Sequence, residues 1–197
     1  MRISLLTAAD YVVSQWSGGV TTQIAIAPEG AVYADRDFLW RLSSATVDLE
    51  ESVFTALPDY HRLVSLLHGT LVISHDEGAP TTLAPYDIYA FDGGIGTQGR
   101  GRCVDFNLML RKGACQGTLR AICVPDAREM PVPADPESTD PVTRILYCAE
   151  GSGTLSADGQ AVALLPGQAA RIDEFAGEAL LLSCSGPAAF LLAQIQG

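Results

Sequence analysis

The sequence predicts an all-β protein made of two tandem strand repeats, with few and short helices. Three observations carry that expectation. Apolar residues alternate with a period of two along most of the chain, and glycine and proline are frequent, at 19 and 11 of 197 residues. An order of strand, glycine, strand, turn, strand, proline corner and strand also occurs twice. No segment longer than about ten residues carries an apolar stripe with the 3.6-residue period of a helix.

The elements follow in order. Residues 20–27 (VTTQIAIA) read as a strand ended by Pro28-Glu29-Gly30. Residues 38–47 (FLWRLSSATV) read as a second, with Arg41, Ser43 and Ala45 on one face and Trp40, Leu42 and Ser44 on the other. Residues 62–74 break at Gly69 into two strands, and residues 81–91 turn at Pro85-Tyr86-Asp87. The glycine-rich run 93–101 reads as a flexible hairpin. Residues 103–111 (CVDFNLMLR) alternate well, with Asp105, Asn107, Met109 and Arg111 opposite Val104, Phe106, Leu108 and Leu110. Between 125 and 141, five prolines and five acidic residues mark an exposed connector, since proline cannot donate to a sheet ladder.

The halves on either side resemble each other. Arg62-Leu63-Val64 stands seven residues before Gly69, and Arg144-Ile145-Leu146 seven before Gly151, an offset of 82. Each copy then runs to a proline corner, Pro85 or Pro166-Gly167, as a jelly roll requires. Two such units predict a bicupin, a pair of RmlC-like jelly-roll barrels. The expected division is an N-terminal barrel with a ligand pocket (1–124), the connector (125–141) and a second repeat (142–197).

Composition excludes several function classes. The formal charge of −11 repels nucleic-acid backbones and anionic membranes alike, so neither is an expected partner. A 48% hydrophobic and 18% charged chain builds a real core, yet no apolar run approaches the roughly 20 residues of a membrane span. The five cysteines form no CxxC pair, which argues against a thiolate zinc site and a thioredoxin-type motif. With no secretory h-region at the N-terminus, reduced cytoplasmic thiols are expected. His61, His68 and His75 lie seven apart without an HxH pair, and no histidine falls between Gly151 and Glu174. No metal or cofactor is therefore expected. There is no GxSxG elbow, P-loop or GxGxxG, and the one lysine, Lys112, reads as a solvated turn residue.

Two polar features remain on apolar strands. Arg41 needs a partner or a water-filled cavity, because an unpaired buried guanidinium costs several kcal/mol. Asp105 and Asn107 put a carboxylate and an amide opposite Phe106. If both faces point inward they form a barrel mouth suited to a small polar ligand, such as a carboxylate clamped by Arg41 or Arg62. The competing reading has Arg41 and Asp105 pairing structurally, or the face solvated.

At these residues the sequence resembles the HutD/Ves family of bicupin proteins. The matching segments are residues 16–24 (WSGGVTTQI), 38–45 (FLWRLSSA), 54–58 (FTALP), Arg62 with 66–69 (LLHG), and 105–111 (DFNLMLR). The resemblance implies a non-metal cupin, linked by name to histidine utilisation and stress response. Its N-terminal pocket would hold a small acid such as a formylated glutamate or formate. Carried over by position, the pocket residues are Trp16, Arg41, Ser43, Arg62, Asp105 and Asn107. Gly18 and Gly19 would let the backbone approach the ligand, and Trp16 would wall the pocket. The family's better-known form opens with a longer W-K-N-G-G-G-type segment, whereas Ser17-Gly18-Gly19 follows Trp16 directly here.

The expected role is binding or regulation around a small anionic molecule, in the cytoplasm, with a homodimer allowed. The rival is a cofactor-free isomerase, epimerase or hydrolase using Asp105 or His61 as general base. A third reading is a structural protein that associates through an exposed sheet.

Overall fold

The computed structural model describes every residue except 77, 134–141 and 176. Among the described residues it forms nineteen strands in four sheets and one 3-10 turn, Tyr33–Asp35, so the all-β expectation holds. Contacts divide the chain into two units, Tyr11–Gln116 and Met1–Asp10 with Gly117–Gly197.

β1 (Arg2–Leu6) belongs to the second of these units. The first is built from β2 (Val12–Trp16), β3 (Gly19–Ala27), β4 (Trp40–Val47), β5 (Glu51–Val53), β6 (Tyr60–Gly69) and β7 (Leu71–His75). It continues with β8 (Thr81–Leu83), β9 (Tyr89–Asp92), β10 (Thr97–Arg100) and β11 (Cys103–Arg111). Six strands form one sheet in the order β2-β3-β4-β11-β6-β9, and four form the other in the order β5-β10-β7-β8. Two apolar clusters fill this barrel. One joins Val47, Leu66 and Cys103 to Leu71, Ile73 and Leu83 across the sheets. The other gathers Phe38, Leu57, Tyr60 and Met109.

The glycine-rich run is not a free hairpin. Its second half is β10, a central strand between β5 and β7. A Cβ on Gly99 would press on Leu71, Phe54 and Ser52, so that glycine serves close packing rather than flexibility.

The second unit contains β12 (Gln116–Val124), β13 (Arg128–Pro131), β14 (Val142–Glu150), β15 (Gly153–Ala157), β16 (Gln160–Leu164), β17 (Ala169–Phe175), β18 (Leu181–Cys184) and β19 (Ala188–Gln196). Its sheets run β1-β17-β14-β19-β12 and β13-β18-β15-β16. The sequence boundaries at 124 and 125 therefore need correction. β1 pairs with β17 from Arg2↔Asp173 to Leu6↔Ala169, and β12 lies beside β19, so both ends of the supposed N-terminal barrel belong to the other one. The connector begins inside the fold as well. β13 pairs with β18, and Pro131 is tolerated because it closes an edge strand. The rest of the predicted connector, 134–141, lies outside the described residues.

The two units repeat strand for strand. The chain β4 to β11 gives the orders β4-β11-β6-β9 and β5-β10-β7-β8, and β12 to β19 gives β12-β19-β14-β17 and β13-β18-β15-β16. The corners match too. Tyr86 N–H donates to Leu66 O, and Gly167 N–H donates to Cys148 O, both at 2.9 Å from left-handed residues. Gly69 and Gly151 close the hairpins with φ of 84° and 69°, and a Cβ on either would strike the carbonyl of Arg102 or Pro187. Gly69→Ala should thus lose more than about 1 kcal/mol of stability, measured by urea unfolding. An unchanged midpoint would show that the hairpin relaxes freely.

Candidate functional site

Period-two alternation along three neighbouring strands of the larger sheet decides what faces the interior of the first unit. On β11 the inward series is Cys103, Asp105, Asn107, Met109, and its outer members join the two apolar clusters. On β4, Ala45 stands opposite Asp105 and Ser43 opposite Asn107. Short side chains face long polar ones, and the space between the clusters stays open. The result is a cavity of about 150 Å³ lined by Ser43, Arg62, Asp105 and Asn107, with Phe54 and Thr55, and bordered by Trp16 and Val53. Of the eight expected pocket residues, it brings together Trp16, Ser43, Arg62, Asp105 and Asn107.

Arg62 is 5% exposed. Its guanidinium carbon lies 4.9 Å from the Phe54 ring centre and 5.3 Å from that of Phe91, and Nη1 donates to Thr55 O at 3.4 Å. Each ring contributes on the order of 1 kcal/mol, well short of the several kcal/mol needed to bury a cation. Burial accordingly pulls Arg62 down to about 10, with Asp105 opposing the shift most strongly. The reciprocal effect falls on Asp105, which burial pushes up to about 6. Arg62, the Ala45 N–H and Arg41 resist that rise without cancelling it. Asn107 Oδ1 and Arg62 Nε are buried and have no hydrogen-bond partner. Unsatisfied groups of this kind cost about 1–3 kcal/mol each.

Arg41 requires a correction. It shares the face of Ser43, but its guanidinium lies 4.3 Å from the Tyr33 ring centre and does not line the cavity. Nε donates to Gln23 Oε1 at 2.8 Å and Nη1 to Ser43 Oγ at 3.2 Å. Because Ser43 accepts from Arg41, its hydroxyl hydrogen remains available to donate. Arg41 thus acts on the cavity through Ser43.

The two glycines also differ from expectation, for neither lines the cavity. A Cβ on Gly18 would overlap the Trp16 ring and Leu49, and one on Gly19 would overlap Thr46 O. Gly18 seats the tryptophan and Gly19 lets β3 approach β4, so they shape the wall rather than admit a ligand.

His61, the alternative base, is exposed and outside the cavity, on the strand face opposite Arg62. His75 is committed elsewhere. Thr97 donates its hydroxyl to Ile95 O and so accepts from His75 Nδ1, leaving Nε2 to accept from Tyr89. Among the described residues no three His, Cys, Asp or Glu side chains could hold a metal. Lys112 is held by Asp92 at 2.7 Å and by Pro58 O.

Sequence reasoning missed Phe54, Thr55 and Phe91. Phe54 and Thr55 sit within a family-like segment, but nothing local shows that a phenyl ring covers an arginine.

The second unit shows what this interior looks like when filled. Pairing places Leu66 opposite Asp105 in one copy and Cys148 opposite Phe190 in the other, so Phe190 and Leu192 occupy the positions of Asp105 and Asn107. Both belong to a continuous apolar core. Arg144, the counterpart of Arg62, lies 4.0 Å from the Phe175 ring centre and donates to Gln194 Oε1 at 2.6 Å.

A family model described as HutD matches residues 8–192. Among solved structures, a conserved protein of unknown function from Pseudomonas aeruginosa PAO1 superposes with a TM-score of 0.84 at 23% identity, covering 100% of both chains. HutD from Pseudomonas fluorescens SBW25, solved in a formate condition, gives 0.73 at 23% identity with the same coverage. A cupin 2 conserved barrel domain protein from Leptotrichia buccalis gives 0.57 at 11% identity, covering 98% of this chain and 96% of its own. These likenesses establish the cupin fold. No curated protein matches the chain.

Two outcomes test this geometry. The Asp105 carboxyl carbon should titrate by NMR with a midpoint near 6. Its folded value exceeds the unfolded one, so folding favours the protonated form. Stability relative to Asp105→Asn should therefore fall as pH rises from about 4 to 6; a midpoint below 4.5 contradicts the burial argument. Gly18→Ala should dislodge Trp16 and increase iodide quenching of its fluorescence, while Trp40, 5% exposed, stays shielded.

Proposed function

Because the chain belongs to the HutD family, we propose that its N-terminal barrel binds one small carboxylic acid between Arg62 and Asn107, in a binding or regulatory role. The observation that carries this reading is the contrast between the copies. Where one barrel is packed with Phe190 and Leu192, the other keeps Asp105 and Asn107 around a hollow beside a buried arginine. Polar groups at those two positions cost stability, and the second copy folds without them although it keeps a buried arginine, Arg144, at the place of Arg62. A cavity of about 150 Å³ has room for a small acid of about six non-hydrogen atoms, since a cavity of that volume takes benzene.

In this reading Arg62 supplies the positive charge, Ser43 donates its hydroxyl and Asn107 orients the ligand edge. Asp105 takes up a proton as the anion enters, because two carboxylates sharing one arginine would repel. Five free cysteines support a reducing, cytoplasmic setting. No helix among the described residues is long and apolar enough to cross a membrane. Family membership makes histidine utilisation the first pathway to test.

One observation favours a second reading. A buried carboxyl with a value of about 6 has the properties of a general base, so Asp105 could serve a cofactor-free isomerase, epimerase or hydrolase. Turnover lost in Asp105→Asn would select that reading, and binding without turnover would reject it.

The test is calorimetric titration with formate and acetate. Arg62→Gln should weaken acetate at least tenfold, as expected for losing a charge-assisted contact. Acetate affinity should also fall roughly tenfold between pH 5.5 and 7.5, as Asp105 loses its proton. Asp105→Asn should abolish that pH dependence. Equal binding by wild type and Arg62→Gln would sink the proposal.

A further inference from the structure

A second, larger depression adjoins the hollow. It measures about 690 Å³ and is floored by the outward face of β5, β7 and β10, with Val72, Ser74 and Gln98 among its lining residues. Trp16, Ser52 and Val53 border both spaces, so the groove and the hollow share a rim. The inner space falls below the roughly 300–1,000 Å³ of most small-molecule sites, and the groove lies within that range.

The lining of the groove states what it can hold. Its charged members, Glu51 and Arg100, are joined by an ion pair of 2.8 Å and offer no net charge. Ser17, Ser74 and Gln98 are neutral donors and acceptors. Apolar surface is nonetheless left in water, with Val53 79% exposed and Leu49 and Trp16 each 41%. Grouped around a concavity, such side chains mark a contact surface.

We infer that the ligand is an elongated acid whose carboxyl head enters the hollow and whose uncharged, partly apolar tail passes Trp16 into the outer groove. The inference rests on the proposed acid site and adds the class of molecule it takes. A short acid would leave the groove empty, and a tail with a second charge would find no free counter-charge there.

Straight-chain carboxylates from formate to octanoate, titrated calorimetrically at pH 6, test it. Affinity should rise by about twofold per methylene beyond propionate, half the fourfold expected of a fully buried methylene. Val72→Glu and Ser74→Glu, at half-buried positions on the outward face of β7, should remove that gain and leave acetate binding unchanged, with circular dichroism confirming that each variant is folded. Acetate and octanoate binding alike would overturn the inference while the acid site stands. Octanoate binding that survives Arg62→Gln unchanged would also overturn it, since the groove would then act alone. If no acid of any length binds, the acid site and the elongated ligand fall together.

Discussion

A carboxyl and a guanidinium sunk into a hydrocarbon barrel set the character of the N-terminal half. Water would solvate both groups far better than their surroundings do, and the barrel compensates only in part. Two phenyl rings flank Arg62, one backbone carbonyl accepts from it, and Asp105 lies within electrostatic reach. The deficit is visible in both partners, since Arg62 ionises less readily than usual and Asp105 holds its proton to about 6. A site balanced in this way responds to an arriving charge more strongly than a fully paired one.

The comparison that gives this imbalance meaning is internal. Eight strands recur in the same order with the same pairing, down to left-handed residues at the proline corners and the glycines that close the hairpins. What differs is the interior. Phe190 and Leu192 continue an unbroken core, while Asp105 and Asn107 interrupt one between two separate clusters. The framework therefore does not require polar groups at those positions, and their presence in one copy needs an explanation other than folding.

Much of this was legible along the chain. Strict alternation in 103–111 sends Asp105 and Asn107 to the same side, and the paired seven-residue spacings of Arg62–Gly69 and Arg144–Gly151 disclose the duplication. Other features were not legible, for physical reasons. Tyr33 and Gln23 capture Arg41, and neither lies near it in sequence. A glycine that seats a tryptophan looks the same in sequence as one that admits a ligand, which is why Gly18 was misjudged. The segment RISLL alternates equally well in either barrel, so its pairing with β17 follows from which sheet edge is free. Prolines around Arg128–Pro131 hid a short edge strand that tolerates them.

The gap between the two apolar clusters has a further consequence. At that level the barrel lacks the atoms that Phe190 and Leu192 supply in its twin, and with them the dispersion contacts of a closed interior. A molecule seated there would complete the core and become, while bound, one of its structural members. Resistance to heat and to proteolysis would then follow the concentration of that molecule by mass action. Were that molecule a metabolite, the lifetime of the protein in the cell would be a record of its abundance.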